Sequence, residues 1–359
     1  MGTILTGAAS AEHSSDNLFP DSGTLRRLIH ESGNAVILTD NNVAEHCLDL
    51  FYQWIPEASA LKVIKVDAGE SSKTFKILEL VLEFLTDCLF DRHSLLICLG
   101  GGMVTDLGGF AASVFKRGIP CAYVPTSLMA MVDAAWGGKT AIDFENKKNI
   151  IGTFNFQIPV FLNTIFLNTL PERRIREALA EMLKHELLFS QTELKSAQAI
   201  FQNPKIDEAI IRNHVQMKLS IVDSDPYEKN QRKFLNLGHT LGHALEGYGL
   251  SVQADTYHGE CVAAGIIFSL LLSVEKCNFP SELALKHCEY ISKNCLLDNV
   301  VLPEWEKLKS FLIHDKKNLN KIVSWVLLDQ NLLPVSNSDV EESLCRHIYS
   351  SEQFRGFLR

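Results

Sequence analysis

Three features are missing from this sequence, and each absence narrows what the chain can be. No apolar stretch is long enough to cross a bilayer. The most apolar one, "CVAAGIIFSLLLSV" at 261–274, falls short of the roughly 20 residues a span needs and reads as a buried helix. There is no excess of positive charge: 34 Lys and Arg stand against 43 Asp and Glu, a net charge of -9. That balance argues against broad binding to a phosphate backbone, although it leaves room for a small basic pocket. The nine cysteines are odd in number, scattered and never spaced as CxxC. This pattern is neither a disulfide framework nor a cysteine-type zinc site, and it suits a reducing compartment. The start, "MGTILTGAASAEHSS", has no basic segment followed by an apolar run, so no signal peptide is expected. A cytoplasmic chain is expected, with neither a membrane nor a nucleic acid among its partners.

The 359 residues are 46% hydrophobic and 21% charged, as in a soluble protein with room for two cores. In the first half, β-type runs at 34–40, 61–69, 94–102 and 121–127 alternate with helical patterns such as 72–90. Alternation of this kind implies βαβ units and a mostly parallel sheet with helices on both faces. From about Pro171 the pattern becomes helical, through 206–224, 237–248, 259–276, 280–295 and 338–349, with a short strand pair within 321–337. The expected fold is an α/β, Rossmann-like N-terminal domain over residues 1–170, followed by a mainly α-helical domain over residues 171–359.

Chemistry-bearing residues gather in three places. "CLGGGMVTDLGGF" (98–110) sets three glycines between a strand and a helix. There the backbone can approach a pyrophosphate, and the helix N-terminus offers N–H donors. The motif is not GxGxxG, so a plain tight turn is the alternative. "PTSLMAMVDAAWGGKTAIDFENKKN" (125–149) collects Thr126, Ser127, Asp133, Lys139, Lys148 and Asn149, a loop suited to a polar, anionic ligand. "FLNLGHTLGHALEGYG" (234–249) places His239 and His243 one helical turn apart, with His258 following in "YHGECVAAG". Imidazoles four apart can share an ion. A carboxylate would complete a zinc-type set that keeps an open position. Glu181 in "ALAEMLKH" is the candidate, and a surface i,i+3 pair with Lys184 is the competing reading.

Taken together, "GESSKT", "LGGGMVTDLGGFAASVFKRG", "PTSLMAMVDAAWGGKT", "KKNIIGTFN", "LPERRIREALAEMLKH" and "RKFLNLGHTLGHALE" resemble, in order, the 3-dehydroquinate synthases among the sugar-phosphate cyclases. The resemblance runs from about residue 34 to 328. It implies that Glu181, His239 and His258 bind the metal, zinc being the usual ion and cobalt a substitute. It implies NAD as the dinucleotide, contacted by Asp40, Glu70, Lys73, Gly101, Gly102 and Asp106. Thr126, Ser127, Lys139, Lys148 and Thr169 would complete that contact set. The substrate implied is 3-deoxy-D-arabino-heptulosonate 7-phosphate, with Lys218, Arg232 and Asn236 at its carboxylate end. Asp133 and Lys139 would face its hydroxyls and phosphate, with Lys184 among the catalytic groups. Asn149, His243 and a lysine of the Lys316–Lys317 pair, with Lys317 as the candidate, would complete the phosphate pocket. Arg117 would reach the neighbouring subunit's site, which implies a homodimer.

The reaction implied is transient oxidation by NAD, phosphate elimination, re-reduction and intramolecular aldol closure to 3-dehydroquinate, a step of aromatic amino acid biosynthesis in the shikimate pathway. Ser127, Met131, Trp136 and Arg174 depart from the usual residues of the family, and Trp136 bears most on the packing of its loop. Three rival readings are a metal- and NAD-dependent glycerol or alcohol dehydrogenase, another sugar-phosphate cyclase, and a catalytically dead binding protein. The first needs no phosphate pocket, so Lys139, Asn149 and Arg232 speak against it. The second tends to change the carboxylate-binding set, which is intact here. The third should have lost a metal ligand, and none is lost.

Overall fold

The computed structural model describes residues 18–145, 147–189, 193–201, 206–313, 323–337 and 339–359. The first 17 residues and the Lys316–Lys317 pair lie outside them. The chain forms two compact units. The first comprises residues up to Pro125, Gly137–Leu162 and Val222–Pro226; the second comprises Thr126–Trp136, Asn163–Ile221 and Tyr227–Arg359. Each unit therefore takes in segments that are distant in sequence.

In the first unit, strands β1 (Ala35–Asp40), β2 (Lys62–Val66), β3 (Leu95–Gly100) and β4 (Cys121–Pro125) form one parallel sheet in the order β2-β1-β3-β4. Both β1 and β3 are buried along their whole length. Parallel strands covered on both faces read as continuous apolar runs, which is how they appear in the sequence. Helices α1 (Ser22–Glu31), α2 (Asn41–Trp54), α3 (Phe75–Asp87) and α4 (Gly102–Val114) belong to this unit. The α4 helix lies close against the sheet because Gly108 and Gly109 have no side chain. A Cβ on Gly108 would strike the Cys98 sulfur, and one on Gly109 the Tyr123 hydroxyl.

The segment around Lys139–Asn149 differs from the expected loop. It forms an antiparallel hairpin of β5 (Lys139–Phe144) and β6 (Lys147–Phe154). Thr140, Ala141 and Ile142 are buried in β5, whereas β6 is largely exposed. The Thr140 and Thr153 hydroxyls pair across it at 2.8 Å. The apolar residues of the exposed strand, with Ile150 and Ile151 adjacent, do not alternate, which hides it from an apolar-periodicity reading.

The second unit contains α5 (Glu172–Phe189), α6 (Ser196–Phe201), α7 (Glu208–Ser224, up to Ile221), α8 (His239–Ser251) and α9 (His258–Cys277). After these come α10 (Ser281–Asn294), α11 (Trp305–Ile313), the hairpin of β7 (Trp325–Leu328) and β8 (Pro334–Asn337), α12 (Glu342–Ser350) and α13 (Glu352–Phe357). Every residue of α9 from Gly259 to Ser273 is buried, so this helix is the core of the unit rather than an amphipathic cover. It packs against α5, α8, α10 and β7. Gly238, at φ +80, sets the entry into α8, and a Cβ there would lie 2.5 Å from the Ile266 side chain. Only glycine meets both demands. Among the described residues, no helix is long and apolar enough to cross a membrane.

Candidate functional site

In the second unit, Glu181 on α5 is 1% exposed, and the first residues of α8 and α9, His239 and His258, point at it. His239 Nε2 lies 3.2 Å and His258 Nε2 3.7 Å from Glu181 Oε1. One ligand atom from each of the three lies within 4.8 Å of the others, and the set does not extend to His243. The His243 ring stands nearby, 5.2 Å from that of His239 and 5.8 Å from that of His258, centroid to centroid.

The other nitrogen of each ligand imidazole meets an oxygen. His239 Nδ1 is 3.2 Å from the Leu237 carbonyl, and His258 Nδ1 is 3.2 Å from Glu246 Oε2. With Nδ1 of each ring turned to those acceptors, both Nε2 atoms face Glu181 Oε1, the orientation an ion held by imidazoles requires. Two imidazole nitrogens and one carboxylate oxygen are also the donor types zinc takes in open, catalytic sites. The residues present therefore fit such an ion.

The pair expected to compete with this reading, Glu181 and Lys184, is indeed formed, but it is not on a surface. Both side chains are buried, and the Lys184 ammonium contacts Glu181 Oε2 directly. Burial opposes the Glu181 charge, yet Lys184 and then His239 hold the carboxyl well below the usual range. Lys184 Nζ is also 3.9 Å from Asp133 Oδ1, and Lys218 Nζ on α7 is 2.9 Å from the same oxygen. Lys218 donates further to the Asp133 carbonyl at 2.6 Å. Burial disfavours an ionised Asp133, but Lys218 and Lys184 overcome it and hold the carboxyl far below its ordinary value. Lys218 itself is shifted downward, first by burial, with Lys184 and Arg232 adding to it.

Asp133 sits in a single π-turn, Ala130–Ala134, a bulge type that recurs at functional sites. Trp136 closes it: the indole is 5% exposed and its Nε1–H donates to the Met131 carbonyl at 2.7 Å. The unusual tryptophan thus staples the turn that carries Asp133. Arg232, 2% exposed, and Asn236 lie on the short helix Gln231–Asn236. The Asn236 amide donates to Glu228 Oε1 at 3.1 Å. Thr126 is buried; Ser127 Oγ accepts from the Ala130 N–H at 3.2 Å, and the Thr169 hydroxyl donates to the Phe166 carbonyl at 2.7 Å. Arg174, the other basic departure, pairs with Glu177 at 2.9 Å and lies over the Tyr257 ring.

A separate polar cluster occupies the first unit. The buried Lys73 ammonium is 2.5 Å from Asp106 Oδ2 and 3.5 Å from Glu70 Oε1, and it also contacts Asn149 Oδ1. Lys148 Nζ approaches Glu70 at 4.0 Å. Asn149, expected at the phosphate, is held here by Lys73, and its backbone N–H donates to Asp143 Oδ1 at 2.7 Å. Gly101 caps α4 in an extended conformation directly after β3, leaving the first-turn N–H groups without intrahelical acceptors. Asp40 caps α2, accepting from the Val43 N–H at 2.9 Å. The donors at the start of α4, beside the Lys73 cluster, fit a dinucleotide. Lys139 and Arg117 are exposed, and Arg117 is held at φ +66.

Residue-level reading passed over several members. Glu246 sits three residues beyond His243, so HxxxHxxE was its available signal. Arg173 embraces the buried Glu260 through Nε at 2.7 Å and Nη2 at 3.1 Å. Glu260 Oε2 in turn accepts from the Tyr257 N–H at 2.9 Å, which anchors the first turn of α9 and with it His258. No spacing rule links residues 87 apart.

Comparison with known proteins places these features in a family. The models for the 3-dehydroquinate synthase N-terminal and C-terminal regions match residues 63–177 and 178–318. A relative named 3-dehydroquinate synthase, from Parabacteroides distasonis, is 38% identical over 81% of this chain and 83% of its own length. Among solved structures, 2-deoxy-scyllo-inosose synthase complexed with carbaglucose-6-phosphate, NAD+ and Co2+ superposes with a TM-score of 0.78 at 23% identity, covering 92% of this chain and 95% of that one. The 2-epi-5-epi-valiolone synthase from Streptomyces hygroscopicus subsp. jinggangensis, with NAD+ and Zn2+ bound, gives 0.74 at 23% identity over 88% and 90%. These two similarities establish the shared fold.

Proposed function

This chain belongs to the 3-dehydroquinate synthase family, and from that membership together with the geometry we infer that it converts 3-deoxy-D-arabino-heptulosonate 7-phosphate to 3-dehydroquinate and phosphate, as a phosphate-eliminating lyase of the shikimate pathway. The observation that carries the reading is the convergence of Glu181, His239 and His258 beside the Asp133–Lys184–Lys218 cluster. Glu181, His239 and His258 would hold zinc, with cobalt as a substitute ion, and the turn at Gly101–Gly102 together with Lys73 and Asp106 would hold NAD. When bound, these groups supply transient hydride acceptance and charge stabilisation on a substrate oxygen.

The chain's own side chains do the rest. Lys184 neutralises the far oxygen of Glu181. Asp133, kept ionised by two ammonium groups, accepts hydrogen bonds from substrate hydroxyls. Lys218, Arg232 and Asn236 bind the substrate carboxylate, and Lys139 binds the phosphate. His243 moves a proton as phosphate departs, because elimination places developing charge on the leaving oxygen. The reading extends to a cytoplasmic homodimer in which the exposed Arg117 serves the partner.

The test supplies heptulosonate phosphate, NAD and zinc, and follows phosphate, dehydroquinate and reduced cofactor. Phosphate and dehydroquinate in equal amounts, with no build-up of NADH, are expected, since each hydride is returned within the turnover. Stoichiometric NADH would instead indicate a dehydrogenase. Sedimentation of the same preparation tests the dimer.

A further inference from the structure

His185 follows Lys184 on α5 and is 0% exposed. Among the described residues, neither of its ring nitrogens has a hydrogen-bond partner. A buried imidazole left in that state is costly, because its N–H has given up water without replacement. If packing were its only role, an apolar side chain of similar size would serve better. The ring is not aimed at random. Nε2 lies 3.5 Å from Asp133 Oδ1, a few tenths of an ångström beyond an ordinary N–H···O bond. On its other side stands His214 of α7, with ring centroids 5.9 Å apart. His214 is itself tethered, its Nε2 3.0 Å from the Ser196 hydroxyl at the start of α6. Three elements of the second unit thus hold His185 against the turn that carries Asp133.

Asp133 has two unlike oxygens. Oδ1 is buried, while the side chain as a whole is 22% exposed, which leaves Oδ2 as the oxygen for a ligand to meet. Lys218, Lys184 and His185 all converge on Oδ1. The two lysines are long, flexible point charges, and neither fixes the rotation of the carboxylate plane by itself. A rigid ring on a buried helix can do so.

We propose that His185 is a positioning residue for the reaction: in the substrate-bound site its Nε2–H donates to Asp133 Oδ1 and fixes the carboxylate so that Oδ2 meets the substrate hydroxyls. The proposal rests on the function inferred above, deepening the part Asp133 plays in it. A displacement of about 1 Å in a group that aligns the reacting centre costs up to about a hundredfold in rate.

The experiment compares His185→Leu and His185→Gln with the parent, each loaded with zinc and NAD. The glutamine amide nitrogen reaches the place of Nε2; leucine has no donor. For the leucine variant, kcat should fall about 10- to 100-fold, with zinc content and NAD affinity at the parent level. The glutamine variant should recover most of that loss. Parent-like kcat in His185→Leu overturns the proposal, and so does equal impairment of both variants. Should the leucine variant fail to fold, His185→Asn takes its place, since its amide falls at the Nδ1 position; equal kcat for Asn and Gln is then the overturning result. Failure of the underlying function shows differently, as a folded parent that releases no phosphate at all, and that result removes this proposal with it.

Discussion

Glu246 Oε2 lies 3.2 Å from Nδ1 of His258, so the carboxylate three residues past His243 on α8 orients the imidazole that opens α9. Glu246 is 7% exposed, and its charge acts on His258 with little screening. Burial disfavours a protonated His258, yet Glu246 and Glu181 push its pKa up to about 10. A carboxylate in this position fixes both the ring plane and the tautomer of a metal-binding histidine.

Replacing Glu246 should therefore loosen the metal without touching a ligand. For Glu246→Ala, zinc affinity should fall on the order of 10- to 100-fold, read by competition with a chromophoric chelator. NAD binding, proposed for the first unit, should be unaffected. Parent-like zinc affinity would exclude an orienting role.

The two histidines of the HxxxH pair should separate in function. His239→Ala removes the Nε2 that stands 3.2 Å from Glu181 and should strip the metal. His243→Ala should keep metal and NAD but lose most turnover, as expected for loss of a general acid, roughly 10²–10⁴-fold. Elemental analysis beside a phosphate-release assay distinguishes them, and an empty metal site in His243→Ala would contradict this division.

Arg232 is 2% exposed, and its guanidinium can hold a carboxylate in a desolvated setting. Arg232→Ala should lower kcat/KM by the equivalent of about 2–5 kcal/mol while NAD affinity stays near the parent value. Turnover kinetics with varied sugar phosphate, alongside a cofactor titration, provide the check; an unchanged kcat/KM takes Arg232 out of the site.

His214 makes stability depend on pH. Burial, with His185 adding to it, lowers its pKa from 6.5 to about 3. A group whose folded pKa is depressed binds fewer protons in the native state, so its contribution is full above the unfolded pKa and is lost as pH falls toward the folded one. The window here runs from about pH 6.5 down to about pH 3. Between pH 7 and pH 5 the parent should lose on the order of 2 kcal/mol that His214→Gln does not lose. Urea unfolding of both proteins at the two pH values gives the comparison, and parallel losses would falsify the assignment.

Much of the architecture was legible because it follows from local pattern. The buried strands β1 and β3 are written as unbroken apolar runs, and α9 as a long apolar helix, since an element covered on every side carries no polar face. The Gly-rich turn after β3 and the HxxxH pair could likewise be read from spacing alone, whereas Glu181, judged from its own helix, read more readily as a surface partner of Lys184. The β5–β6 hairpin was not legible, because its outer strand is largely exposed and its apolar residues do not alternate. Nor could any pattern show that Lys184, which looked like a surface partner of Glu181, is buried and within reach of Asp133. Asp133 and Lys218 stand 85 residues apart and meet only through the placing of a π-turn and α7. His185 and Glu246 are similar cases: in sequence, one is a histidine on a charge-rich helix and the other a glutamate in mid-helix. Periodicity reports which face of an element is buried, a property of a few neighbouring residues. Which distant side chains then share that buried space, and so whose charges are strengthened or suppressed there, depends on how the helices pack, and only the tertiary structure decides it.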